Sequence, residues 1–182
     1  MRRKTIVFTA FCLLIGLSYG CNTDNHYQKE LKNFIGQQFI IPDDALLINK
    51  NHQSQIGTYA GSKYEVVAYL DSLALCSECW IGNIILIQQL LSQCENKDVA
   101  FLPIFHSEDV FNIKKMMDEI GFEQPYYVDV NGSVKESNKQ FPSSEILKTF
   151  LLKDSKVIVV GSPVRNERLR KLYLSTLGKS KR

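Results

Sequence analysis

An α/β fold built on a mixed sheet with helices on both faces is predicted by three features of the sequence. Two largely apolar runs of strand length, YEVVAYL (64–70) and VAFLPIF (99–105), have the pattern of strands buried on both faces. They alternate with segments whose apolar residues recur every three or four positions, the helical period. Near the C-terminus two more apolar runs flank Lys153-Asp154-Ser155 within 148–161, a hairpin that must add antiparallel pairing. With 182 residues, 45% hydrophobic and 23% charged, the chain has room for one domain with a full core.

Taken in order, residues 1–20 read as a targeting leader. Met1-Arg2-Arg3-Lys4 is basic, and TIVFTAFCLLIGL (5–17) is an apolar run too short for a comfortable membrane span. The leader holds Arg2, Arg3 and Lys4 of the 22 basic residues and none of the 19 acidic ones. Without it the charges balance, so the net charge of +3 gives no case for nucleic acid. Leu17-Ser18-Tyr19-Gly20-Cys21 resembles a bacterial lipoprotein cleavage box, which implies a lipid anchor at Cys21; Tyr19 is atypical there. The alternative is ordinary secretory cleavage that leaves Cys21 a thiol. The expected organisation is a leader (1–20), a tether and short helix (21–35) and one folded domain (36–178).

Residues 22–30 (NTDNHYQKE) are polar and suit a tether. A short helix from Glu30, a turn at Gly36 and an edge strand at Phe39-Ile40-Ile41 stopped by Pro42 follow. Residues 49–63, rich in Asn, Gln, Ser and Gly, read as a loop. Ile81, Ile84, Ile85, Ile87, Leu90 and Leu91 mark a helix over 77–92. Val110, Ile113, Met116, Met117 and Ile120 mark another, entered at Glu108-Asp109 and closed by Gly121. PYYVDVNGSV (125–134) reads as a strand with an Asn131-Gly132 turn, and NERLRKLYLSTLG (166–178) as the closing helix.

Of five cysteines, Cys12 lies in the leader and Cys21 at its end. Cys94 ends an apolar helical segment, where a cysteine acts as a small hydrophobe. Cys76 and Cys79 stand as C-x-x-C between the first core strand and its helix. Three chemistries fit such a pair: a redox dithiol, a structural or vestigial disulfide, and half of a metal site. Metal would need further ligands, of which His106, after the second core strand, is the placed candidate, giving a Cys76/Cys79/His106 set for copper. Asp71, directly after the strand, could accept protons near the pair or simply form a turn. Nothing reads as a phosphate loop, a serine triad or a peroxidatic cysteine.

The C-x-x-C at a strand–helix junction, in this element order, resembles the thioredoxin-like superfamily, and within it the exported, membrane-tethered bacterial thiol–disulfide oxidoreductases. These carry an N-terminal extension and an insert of the YYVD-x-NG kind before the final hairpin. The resemblance spans roughly 36–178. It implies a three-layer α/β/α fold with a mixed central sheet and an N-terminal extension. It also implies a catalytic dithiol, with Cys76 as nucleophile and Cys79 as resolving thiol, and no cofactor. The partners would be protein thiols or disulfides of the cell envelope, with the chain anchored through Cys21 and facing the periplasm or cell exterior. A helix N-terminus favours a thiolate at Cys76. Ser77 could donate a hydrogen bond to it, and Glu78 adds negative charge that favours reducing behaviour. Two departures stand out. The tryptophan expected before the first cysteine is replaced by Leu75, with Trp80 after the second. The family's cis-proline has no counterpart: Leu147-Lys148 occupy its place. The rival reading is a non-catalytic binding module that keeps the cysteine pair as a staple.

Overall fold

The computed structural model of the chain describes residues 21–49, 54–56, 61–71, 77–96 and 98–178; for 21–24, 54–56 and 77–80 it describes the backbone alone. Its elements are α1 (Cys21–Phe34), β1 (Leu46–Ile48), β2 (Ser54–Ile56), β3 (Tyr64–Asp71), α2 (Ser77–Leu91), β4 (Val99–His106), α3 (Val110–Glu119), β5 (Tyr126–Asp129), the short α4 (Ser133–Ser137), a 3-10 turn (Glu145–Leu147), β6 (Thr149–Lys153), β7 (Lys156–Val160) and α5 (Glu167–Leu177). The strands form one sheet in the order β2-β1-β5-β4-β3-β6-β7. β3, β4 and β5 are parallel and every other pairing is antiparallel, so the sheet is mixed as expected.

The sheet separates two apolar layers. Val66, Ala68 and Leu70 of β3 face Ile84, Ile87 and Leu90 of α2, with Ile113 and Met117 of α3 and Tyr173, Leu174 and Leu177 of α5 in the same layer. Val67 and Tyr69 point the other way, into a layer with Phe34 of α1, Phe39, Val134 of α4 and Phe150. Strand alternation sends neighbouring residues to opposite faces, so an all-apolar strand requires cover on both. Phe34 meets Phe150 and Phe141 edge to face, at ring separations of 5.0 and 5.8 Å. Pro103 sits inside the central strand β4, where a missing N–H would break a ladder. The pairing with β5 starts only at Ile104, one residue further on.

Local signals account for the boundaries. Asp109 caps α3 by accepting from Asn112 N at 3.0 Å, and Gly121 (φ +65°) ends it. Asn166 caps α5, accepting from the backbone N–H groups of Arg168 and Leu169. Asp154 and Ser155 form the β6–β7 turn with φ of 50° and 61°, the left-handed geometry that a two-residue hairpin requires.

Four expectations differ from the structure. The polar segment expected as a tether is part of a 14-residue helix that starts at Cys21, not a short helix from Glu30. Phe39-Ile40-Ile41 form no strand; Gln38 makes an isolated bridge to Lys156, and residues 36–39 cover the outer edge of β7. The sheet gains β1 and β2, both unread in the sequence, and β2 falls in the expected loop. The third core strand ends at Asp129, and Ser133–Ser137 coil instead of extending.

Candidate functional site

β3, β4 and β5 run parallel, so their C-terminal ends share one end of the sheet, where α/β folds gather their functional groups. The register pairs Asp71 with His106, and His106 with Asp129. These three form a row across the sheet, two residues beyond Tyr69, Ile104 and Tyr127 and therefore on the same face. A polar row ending three strands that are apolar at all but one other position, Glu65, is more than packing preference alone would give.

Asp71 is 7% exposed and sits among three basic groups. Lys135 Nζ donates to its Oδ2 at 2.7 Å, and Lys148 Nζ lies 3.8 Å from the same oxygen. His106 Nδ1 stands 3.4 Å from Oδ1, an ionic-contact distance without hydrogen-bond geometry. Lys135 is delivered by α4, which Asp129 holds in place. Asp129 Oδ2 accepts from Val134 N and from the Tyr69 hydroxyl, each at 3.2 Å, and its Oδ1 accepts from Ser133 Oγ at 3.0 Å. Burial and the Asp129 charge push the Tyr69 phenol far above its ordinary value, so it stays a protonated donor. Gly132 opens α4 in the left-handed region (φ +74°), and a side chain there would press against His106 Nε2.

Lys148 is 4% exposed, rare for a lysine. It follows the 3-10 turn, its N–H donating to Glu145 O, while its own carbonyl accepts from Tyr69 N at 2.9 Å. Its ammonium pairs with the Glu145 carboxylate and reaches Asp71. It lies 5.9 Å from the centre of the Tyr69 ring, which Lys135 also approaches at 5.4 Å. A buried ammonium is tolerated only with such partners. Beside the turn a cleft of about 350 Å³ opens between Leu70, Asn83 of α2, Leu147, Val160, Arg165 and Leu169, with Ile146 exposed at its rim.

Several solved structures have a similar overall shape. The C-terminal domain of a candidate thiol-disulfide oxidoreductase from Bacteroides thetaiotaomicron superposes with a TM-score of 0.56 at 19% identity, over 80% of this chain and 97% of that one. A candidate thiol:disulfide interchange protein, DsbE, from Chlorobium tepidum gives 0.56 at 17% identity, over 79% and 98%. The thioredoxin domain of a thiol-disulfide oxidoreductase from Bacteroides vulgatus gives 0.55 at 14% identity, over 78% and 99%. The chain has the thioredoxin-like fold. No protein-family model matches it, and no curated protein does.

In this thioredoxin-like frame the predicted site residues fall as follows. Cys76 lies outside the described residues. Cys79 is in the first turn of α2 and Cys21 opens α1, both described by backbone alone. Asp71 is a buried strand end with charged partners, not a turn residue. His106 is at the predicted end of the sheet and faces Asp71; the Cys76/Cys79/His106 copper set lies partly outside the described residues. Among the described residues no three His, Cys, Asp or Glu side chains are grouped to hold a metal ion. Lys135 and Lys148 place two ammonium groups where a cation would approach Asp71. Cys94 is half-buried against Leu90 O and burial pushes its thiol up, as suits an inert packing cysteine. Among the described residues no helix is long and apolar enough to cross a membrane.

Two site residues escaped sequence reading. Lys148 was noticed only as the residue standing where a proline was expected. Its signal was a lysine directly before TFLL with Glu145 three positions upstream. Lys135 carried no signal, because only the fold brings it 64 positions back to Asp71.

Proposed function

We propose that the chain is a thiol–disulfide oxidoreductase of the cell envelope, with Cys76 as nucleophile and Cys79 as resolving thiol, anchored through a lipid on Cys21. The observation that carries this reading is the charged row at the C-terminal ends of the parallel strands. β3 ends at the buried Asp71, and the chain reaches Cys76 five residues later, just ahead of α2 at Ser77. On this reading, the strand end that leads along the chain to the dithiol carries fixed charges in a thioredoxin-like sheet. The solved structures of similar shape named as thiol-disulfide oxidoreductases support the same assignment.

In the reducing direction the Cys76 thiolate attacks a partner's disulfide, forming a mixed disulfide and expelling one partner thiolate. The Cys79 thiolate then attacks Cys76 sulfur, closing the Cys76–Cys79 disulfide and releasing the second partner thiolate. Two electrons pass to the partner, and the two protons lost by Cys76 and Cys79 balance those its thiolates take up. Asp71, with its cationic neighbours, is the described carboxylate nearest along the chain to take part in that proton traffic.

The test is the reduction potential of Cys76–Cys79 in a glutathione or dithiothreitol buffer, read by alkylation and mass spectrometry. A midpoint between roughly −120 and −270 mV is expected for a working oxidoreductase. A midpoint below about −300 mV, or no disulfide at all, sinks the reading; the first outcome leaves a stapled binding module in its place.

A further inference from the structure

We propose that the cavity at the N-terminal end of β3 binds a small organic ammonium ion, an alkylamine whose charge is met by the Glu65 carboxylate. The site lies towards the opposite end of the strand from Asp71 and stands apart from the dithiol reading.

Glu65 shares a face of β3 with Val67 and Tyr69, so its side chain enters the apolar layer that also holds Phe39 and Ile41. The register sets Ala100 of β4 and Leu152 of β6 beside it. There it lines a cavity of about 260 Å³ whose apolar walls are Phe39, Ile41, Leu102 and Leu152. An apolar residue at this position would extend the layer without the cost of desolvating a carboxylate. The molecule instead keeps a half-buried acid that has no hydrogen-bond or ion-pair partner among the described residues. Burial pushes its carboxyl up, so a cation brought beside it would offset what desolvation costs.

The neighbouring charges leave the place of that cation open. Lys63 also lines the cavity, but its ammonium lies 6.0 Å from the centre of the Tyr64 ring, and that of Lys153 lies 5.9 Å from the same ring. Tyr64 packs on the other face of the sheet. Asp154, in the β6–β7 turn, adds a second carboxylate to the cavity wall, again without a partner among the described residues. Gly61 makes room for the Glu65 carboxyl, since a Cβ there would overlap its Oε1. Apolar walls favour an organic cation, whose alkyl chain they would cover, over a metal ion. Nor are three His, Cys, Asp or Glu side chains grouped to hold a metal among the described residues. The volume exceeds the about 150 Å³ that accommodates benzene and falls short of the about 300 Å³ at which drug-sized sites begin, so the occupant is small.

The experiment is a ligand-observed NMR titration of the full chain with n-pentylammonium, 1-pentanol and pentanoate, three probes of one chain length. n-Pentylammonium is expected to bind saturably, and the neutral and anionic probes at least about tenfold more weakly. Glu65→Gln keeps the shape and removes the charge, so it should weaken n-pentylammonium about tenfold and leave 1-pentanol unmoved. Gly61→Ala displaces the carboxyl and should weaken the ammonium probe as well, while Asp154→Asn should give a smaller loss. Should Gly61→Ala fail to fold, Glu65→Gln decides. The proposal is overturned by absence of saturable n-pentylammonium binding, by binding that Glu65→Gln leaves unchanged, or by 1-pentanol binding as tightly as the amine. Binding of Nα-acetyl-lysine-N-methylamide about tenfold tighter than n-pentylammonium also overturns it, because the occupant would then be a lysine side chain of another protein.

Discussion

Glu65 and Asp71 stand near opposite ends of β3 on the same face, six residues apart, and the molecule treats them in opposite ways. Glu65 lines a cavity of about 260 Å³ with Phe39, Ile41 and Leu102 and has no hydrogen-bond or ion-pair partner among the described residues. Burial alone pushes its carboxyl up. Asp71 is more deeply buried than the half-buried Glu65, yet Lys135, Lys148 and His106 converge on it. Desolvation of a carboxylate costs the same kind of free energy at either end of a strand. A fold indifferent to both would leave both uncompensated. That counter-charges converge on Asp71, while Glu65 has no ion-pair partner among the described residues, is consistent with a function at the Asp71 end.

The comparison breaks most directly at Asp71. Asp71→Ala strips Lys135 and Lys148 of their shared partner and should cost about 3 kcal/mol, read as a fall in the urea midpoint. Paired with Lys148→Met, the loss should be smaller than the sum of the two single losses, because both changes remove the same Asp71–Lys148 interaction. A cost under about 1 kcal/mol for Asp71→Ala would mean that solvent already compensates this end. Next in size is Tyr69→Phe, which removes the donor to Asp129 and should cost about 1 kcal/mol, with α4 losing hydrogen-exchange protection at Val134 N. The smallest effect has the opposite sign. Glu65 titrates higher folded than unfolded, so the stability it contributes is present in acid and is lost as pH rises through its raised folded value. Glu65→Gln should therefore gain about 0.5 kcal/mol at pH 7, and the gain should vanish below about pH 4. A loss at pH 7 would show that Glu65 has a partner the comparison omits.

Elements whose signal is local were legible in the sequence, and those set by distant contacts were not. β3 and β4 stood out because a strand buried on both faces is apolar at nearly every position. α3 carried its cap, its period and its closing glycine within thirteen residues, 109–121. By contrast, α1 is polar except near its end. Its docking depends on Phe34 reaching Phe150 and on Glu30 accepting from Ser143, 113 positions away. β1 has three residues, too few to show alternation, and exists because β5 pairs with it. The candidate site divides in the same way. Asp71 and His106 could be singled out because they terminate readable strands. Lys148 could not be recognised as buried, since a lysine at the head of a strand reads as a solvent residue until the acids around it are in place.

The helical start of the chain changes what an anchor at Cys21 would mean. A coil of 14 residues lets a domain wander; a helix of 14 residues is a strut about 21 Å long. At its far end Phe34 is packed between aromatic rings, so the strut is continuous with the body rather than hinged to it. Were a lipid attached at Cys21, the charged end of the sheet would be held at a nearly constant height and tilt above the bilayer. Partners presenting a disulfide within that thin layer would be met at high effective concentration, and those beyond it scarcely at all.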